Sequence, residues 1–294
     1  MKKSPESIRR VGLIANPEKV MCHVAVQRAA DLIRESGRAA LTDPATARMA
    51  RLDLPQSTDS AGLARDADLL LVFGGDGTML RVAREVAGSR TPILGINVGG
   101  LGFLTAVPSD LLPKALEFVW TGQYDLEPCP LLTASCETTN GPVEQVALND
   151  FVLGRGAPSR MIELEVSVDG QVLTCYRCDG LIVSSPRGST AYSLSAGGAV
   201  VCPDAAVFAL TPICPHTLSN RSVIVNLAST VQVKVMSQKL ETILTADGQV
   251  QSILVAGGVV TIRRSRRKVY LVQLAGSSFF ATLRQKLSWS GSNV

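Results

Sequence analysis

The run ADLLLVF (67–73) ends in five consecutive apolar residues and passes directly into the glycine-rich turn GGDGT (74–78). An apolar run of this length bounded by glycines reads as a strand buried on both faces. Such a strand needs covering layers above and below, which points to a parallel sheet flanked by helices. Its neighbours fit that frame. VGLIAN (11–16) is a second short apolar run, followed by a helical pattern over 22–36 that Gly37 ends. A helical stretch over 78–86, a strand at PILGI (92–96) and a helix over 109–120 continue the alternation.

Beyond about residue 125 the texture changes. MIELEVSVDGQVLTCYRC (161–178) alternates with period two around an Asp169-Gly170 turn, which is a hairpin signal. VIVNLASTVQVKVM, TILTADGQVQSILV and VVTIRRSRRKVYLVQL follow in the same manner. The fold class expected is an α/β N-terminal domain, with a parallel sheet and flanking helices, joined to a β-rich C-terminal domain. The charge run RRSRRK (263–268) sits between two strand-like segments and reads as an exposed hairpin turn. No aromatic residues interleave with its charges, so a nucleic-acid partner is not expected.

With 294 residues, 46% of them apolar, the chain can bury a large core. Its net charge of +4 is mild, enough to favour anionic small substrates and well short of a nucleic-acid binder. No apolar run approaches the roughly 18 residues that cross a bilayer, so no membrane partner is expected. The start is interrupted by Arg9, Arg10, Asn16 and Pro17 and is no signal peptide, which points to the cytoplasm. Seven scattered cysteines form no disulfide framework. Cys175-Tyr-Arg-Cys178 matches CxxC, but it lies within a strand rather than opening a helix. The chain has only His23 and His216 to complete a metal site, so reduced cysteines are expected.

Two segments carry chemistry. In Gly74-Gly75-Asp76-Gly77-Thr78 the glycines let the backbone turn sharply and expose its N–H groups, and a helix N-terminus follows. That is an anion site suited to a polyphosphate. A carboxylate placed there would accept a proton from an attacking hydroxyl, help hold Mg²⁺, or serve only as a helix cap. The turn is neither a P-loop nor a dinucleotide fingerprint. The second segment, Asp179–Gly198, runs from a strand (180–184) into Ser189, Thr190, Tyr192, Ser193 and Ser195, a density of hydroxyls that suits a polar ligand or a structural loop.

GGDGT together with DGLIVSSPRGSTAYSLSAGG (179–198) strongly resembles the NAD kinase family. The likeness extends to Asn97–Leu104, Leu148–Asp150, Pro215–Ser219 with Arg221, Asp247–Gln249 and Leu287–Trp289. GGDGT alone is shared with lipid kinases and 6-phosphofructokinases, whereas GSTAYSLSAGG is specific. The resemblance implies transfer of the terminal phosphoryl group of ATP, with Mg²⁺, to the 2′-hydroxyl of NAD's adenosine ribose. The alternative is a lipid or sugar kinase sharing the loop. A non-catalytic NAD sensor would not need Asp76. The resemblance implies domains at 1–125 (donor loop), 126–270 (NAD binding) and 271–294 (returning to the first), and a homodimer or homotetramer.

By position, the resemblance makes Asp76 the catalytic base and Gly74, Gly75, Gly77 and Thr78 the phosphate cradle, with Asp76 and Gly77 also reaching NAD. Phe103 packs on the dinucleotide, and Asn149 and Asp150 engage its adenosine part. Arg177, Asp179, Arg187, Thr190, Ala191, Tyr192, Ser195, Asp247 and Gln249 complete the NAD site, with Asp247 near the nicotinamide end. Two departures stand out. Asp150 replaces the family's usual Glu, one methylene shorter, and Arg187 replaces a usual Thr. Where the family has glycine in place of Arg177, both NAD and NADH tend to be accepted, so Arg177 implies a preference for NAD.

Overall fold

In the computed structural model, which describes residues 8–105, 107–156, 160–216, 221–237 and 241–289, the apolar run before the glycine turn is a strand with every residue buried. The chain divides into two units, Met1–Cys129 with Lys268–Val294, and Pro130–Arg267.

The first unit contains β1 (Arg10–Ala15), α1 (Met21–Glu35), β2 (Ala39–Thr42), α2 (Pro44–Ala50), α3 (Ser60–Asp66), β3 (Leu69–Gly74), α4 (Asp76–Glu85), β4 (Ile93–Asn97), β5 (Val107–Pro108) and α5 (Leu112–Trp120). The strands pair in parallel in the order β2-β1-β3-β4-β5. Side chains alternate across the pleat. Leu69, Leu71 and Phe73 therefore share a core with Val26, Ala29 and Ile33 of α1 and with Leu116 and Val119 of α5. On the opposite face Gly12 abuts Leu63 of α3, and Gly95 abuts Met79 of α4. The both-faces-covered reading of β3 is thus correct, at roughly 1.5–3 kcal/mol per fully buried Leu or Ile. The stretch between Gly37 and Asp66 was not legible as β2, α2 and α3. All three are short, and α2 and α3 are marked mainly by their caps. Asp43 accepts from Ala45 N and Thr46 N at 2.9 Å, and Asp59 accepts from Gly62 N. The helix expected over 109–120 opens with a separate 3₁₀ turn, Ser109–Leu111.

β6 (Tyr124–Thr138) leads out of the first unit into the second, which continues with β7 (Gly141–Ala147), β8 (Asp150–Arg155), β9 (Ile162–Val168), β10 (Gln171–Cys178), β11 (Gly180–Ser184), the one-turn helix α6 (Tyr192–Ser195), β12 (Val207–Ile213), β13 (Val223–Asn226), β14 (Val231–Val235), β15 (Thr242–Ala246), β16 (Val250–Leu254) and the greater part of β17 (Val259–Leu274). One antiparallel set runs β13-β12-β11-β8-β15-β16. The other runs β10-β9-β14-β17. Phe151, Leu153, Leu181, Val183 and Phe208 of the first set share a core with Ile162, Leu164, Val231, Val233 and Ile262 of the second. The β9–β10 hairpin closes where expected, with Asp169 and Gly170 at φ 50° and 81°.

Two readings of the sequence meet this structure differently. RRSRRK is not a hairpin turn, because residues 263–268 lie within the uninterrupted strand β17, mostly exposed. A strand needs partners for its backbone only, so a run of charged side chains does not break it. The CxxC pair lies within strand β10, as expected, rather than opening a helix. Three residues apart on β10, Cys175 is exposed and Cys178 is buried on the other face. Burial pushes the Cys178 thiol up to about 12, which leaves it inert at neutral pH.

The last part of β17 belongs to the first unit, where Leu271 pairs in parallel with Ile93 of β4. The helix α7 (Phe279–Lys286) follows, capped by Ser278.

Candidate active site

The glycine turn forms because β3 ends at Gly74 and α4 begins at Asp76, with Gly75 as the extended N-cap residue. A Cβ on Gly74 would lie 2.4 Å from Thr78 Oγ1, so only glycine lets the first helical turn fold back this tightly. Thr78 is buried by this packing, while Gly77 is exposed. Thr78 N donates to Gly75 O at 3.0 Å, so an anion site at this helix N-terminus rests on the N–H groups of Gly75 and Asp76.

Asp76 is held by a second loop. Its Oδ1 accepts from Leu104 N at 3.0 Å, Thr105 N at 3.1 Å and Thr105 Oγ1 at 3.2 Å. Its Oδ2 accepts from Phe103 N at 2.8 Å and from no other described group. A carboxylate offers about four acceptor sites, so Oδ2 keeps a lone pair for a further donor. Asn97, at the end of β4, braces the same loop by donating to Gly100 O at 2.6 Å and to Thr105 Oγ1 at 3.1 Å. Gly102 is required by space, since a Cβ there would lie 2.0 Å from Asp76 Oδ1. The Phe103 ring lies 6.3 Å from that of Phe279, and the Lys286 ammonium stands 5.8 Å over it.

A second cluster lies in the other unit. Asp247 and Gly248 occupy the two positive-φ positions of the β15–β16 turn, closed by Gln249 N donating to Ala246 O. The Asp247 carboxylate accepts from Leu148 N at 3.1 Å and Asn149 N at 2.8 Å, and its own N–H donates to Asp150 O at 3.0 Å. From the other side, Ser185 N donates to Asn149 O and Ser185 Oγ to Leu148 O. A Cβ on Gly188 would reach within 2.2 Å of Asn149 O. The segment 148–150 is therefore clamped along its backbone, while the Asn149 and Asp150 side chains make no hydrogen bond among the described residues. Asp150 is only 4% exposed. Burial and the neighbouring charge of Asp247 push its carboxyl up to about 7.

The remaining residues sort by exposure. Asp179 is tied to Arg155 by a half-buried ion pair at 3.3 Å, and Arg177 is exposed on β10. Thr190 and Arg187 share the 3₁₀ turn 187–190, with Thr190 Oγ1 donating to Arg187 O. Ala191 is half-buried, and Tyr192 and Ser195 are exposed. Ser189 and Ser193, counted among the available hydroxyls from sequence, are instead spent inside. Ser189 bonds Pro186 O and Val201 N, and Ser193 bonds Thr211. Thr217–Ser219 lie outside the described residues.

Residues 11–124 match the family model of the ATP-NAD kinase N-terminal domain, and residues 148–274 that of the ATP-NAD kinase C-terminal domain. An NAD kinase of Moorella thermoacetica is 41% identical over 286 residues, covering 97% of this chain and 91% of that protein. The chain belongs to the NAD kinase family. Among solved structures, an NAD kinase from Archaeoglobus fulgidus in complex with ATP is 26% identical with a TM-score of 0.76, covering 96% of this chain and 100% of that one. Yeast NADH kinase complexed with NADH shares the fold, with a TM-score of 0.88 at 24% identity, covering 98% of this chain and 89% of that one.

Within the family's two matched regions, sequence reasoning named Asp76, Asn149, Asp150 and Asp247 as candidates. It missed the groups that hold them: Asn97, Gly102 and Thr105 in the first region, Ser185 and Gly188 in the second. Asn97 and Gly102 were visible only as members of the block 97–104, and Thr105 stands one residue beyond it.

Proposed function

We propose that this chain is an NAD kinase that transfers the γ-phosphoryl group of ATP to the 2′-hydroxyl of NAD, yielding NADP and ADP. Family membership supports the overall reaction, and the ATP bound to the Archaeoglobus relative supports the donor. The observation that carries the reading is the Asp76 carboxylate, clasped at the mouth of the glycine turn with one acceptor position left on Oδ2.

In this mechanism the glycine turn, residues 74–78, cradles the donor phosphates at the helix N-terminus, and Asp76 Oδ2 takes the proton of the attacking hydroxyl. Catalysis then comes mostly from positioning and electrostatics. The Asn149 and Asp150 side chains recognise the adenosine part. Asp247 positions both through their backbone. Asp179, braced by Arg155, together with Arg187, Thr190, Ala191, Tyr192, Ser195 and Gln249, completes the NAD site, and Phe103 packs on the dinucleotide.

Among the described residues no group of three His, Cys, Asp or Glu side chains could hold a metal ion. The glycine turn fits a Mg²⁺ that arrives on the ATP phosphates, with Asp76 as the nearby protein carboxylate. When bound, Mg²⁺ neutralises charge on the transferring group. The assignment of domains to 1–125, 126–270 and 271–294, a homodimeric or homotetrameric assembly and a cytoplasmic location belong to the same reading. Among the described residues no helix is long and apolar enough to cross a membrane.

The test is purified protein with Mg-ATP and NAD, the product being read by a dehydrogenase that accepts only 2′-phosphorylated cofactor. NADP should accumulate. Phosphorylation of diacylglycerol or a sugar phosphate in its place would overturn the reading.

A further inference from the structure

The loop between β1 and α1 plays no part in the site described so far, yet it brings a cation to the glycine turn. Asn16 N donates to Phe73 O at 3.1 Å, and Cys22 Sγ to the same carbonyl at 3.6 Å, so the loop is fastened to the residue just before Gly74. Within it, Asn16 Oδ1 accepts from Glu18 N, Lys19 N donates to Asn16 O, and Cys22 N donates to Lys19 O. These bonds fix the backbone of Lys19 at both ends. Its ammonium comes within 3.5 Å of where a Cβ on Gly75 would stand. Lys19 is exposed and makes no ion pair with any described residue. Arg81, on the same helix as the turn, is already paired with Glu85 at 3.0 Å.

We infer that Lys19 is a donor-site residue, contacting the phosphate chain of ATP over Gly75. This rests on the kinase reading above. An ammonium is a compact point charge with three rotatable donors, suited to a phosphate chain whose oxygens shift during transfer. The N–H groups of the turn approach the same anion with partial charges only. Lys19 thus supplies full positive charge on the donor side without touching the acceptor or the base, and its effect falls on ATP affinity.

The experiment measures KM for ATP at saturating NAD, KM for NAD at saturating ATP, and kcat, in wild type, Lys19→Met and Lys19→Arg. Melting curves check that each variant is folded. Lys19→Met should raise KM for ATP roughly tenfold, the lower end for a charge-assisted hydrogen bond at an exposed position. KM for NAD should stay within twofold, and Lys19→Arg should recover most of the ATP affinity. Added salt should raise KM for ATP more in wild type than in Lys19→Met, a difference that a purely structural lysine would not produce. Unchanged KM for ATP in Lys19→Met, or a rise confined to NAD, would overturn the inference while leaving the kinase reading intact. Failure of wild type to form NADP would sink both.

Discussion

Replacing Asp150 with Asn changes the pH dependence of stability in a direction fixed by its surroundings. In the unfolded chain the carboxyl titrates near 3.8, and in the folded protein burial and the adjacent Asp247 raise it to about 7. Between these values the folded state holds a proton that the unfolded state has lost. Stability contributed here is therefore full below about pH 4 and declines as pH rises through about 7. At about 1.4 kcal/mol per pH unit the ceiling is roughly 4 kcal/mol. Local relaxation and water entry lower it, leaving roughly 2 to 4. Asn keeps the shape without the charge, so Asp150→Asn should lie closest to wild type below about pH 4 and exceed it by roughly that amount at pH 8. Urea unfolding followed by circular dichroism at several pH values gives the difference, in which groups common to both proteins cancel. A variant-minus-wild-type difference that stays flat from pH 4.5 to 8, or grows toward acid, would refute the reasoning. The same variant should bind NAD less well, since the unpaired carboxyl is proposed to receive donors from the adenosine part. Such a trade of stability for recognition is common at binding sites.

Three further outcomes are expected. Asp76→Asn should cut kcat by about 10²–10⁴, the usual cost of losing a general base, and its amide also faces the Phe103 N–H; kcat within threefold of wild type would leave Asp76 a structural clasp. Gly102→Ala should displace the Asp76 carboxylate, which a Cβ would meet at 2.0 Å, and lower kcat by about a hundredfold with only a small drop in melting temperature. Wild type should prefer NAD to NADH, and Arg177→Gly should shift the kcat/KM ratio toward NADH; an unchanged ratio assigns Arg177 to the surface.

How much was legible follows from the range of each interaction. Strand β3 and the β9–β10 hairpin were readable because burial on two faces and the Asp169-Gly170 turn are written locally. RRSRRK misled because charge reports side-chain exposure, whereas strand β17 is held by its backbone. The clamp of Asp247 on Leu148 and Asn149 joins residues about a hundred positions apart and leaves no periodic trace. The clasp of Asp76 by Phe103–Thr105 has the same cause over a shorter span. For both sites the chemical groups could be named from the motifs, but the groups that aim them could not. Ser189 and Ser193 illustrate the converse, since composition counts hydroxyls without showing which ones the interior consumes.

The first unit is interrupted in sequence, and this sets an order of events during synthesis. Strand β4 receives Leu271 beside Ile93 only after the whole of the second unit has been translated. Until then the nascent sheet carries an uncovered stretch of backbone at Ile93, the kind of edge that recruits stray strands from other chains. The inserted unit, complete by Arg267, can condense while the first still waits for its closing strand. The polypeptide made after the inserted unit is thus the one that completes the sheet begun before it. A chain truncated after Arg267 and released should therefore be cleaved by protease in its first hundred residues while the inserted unit resists.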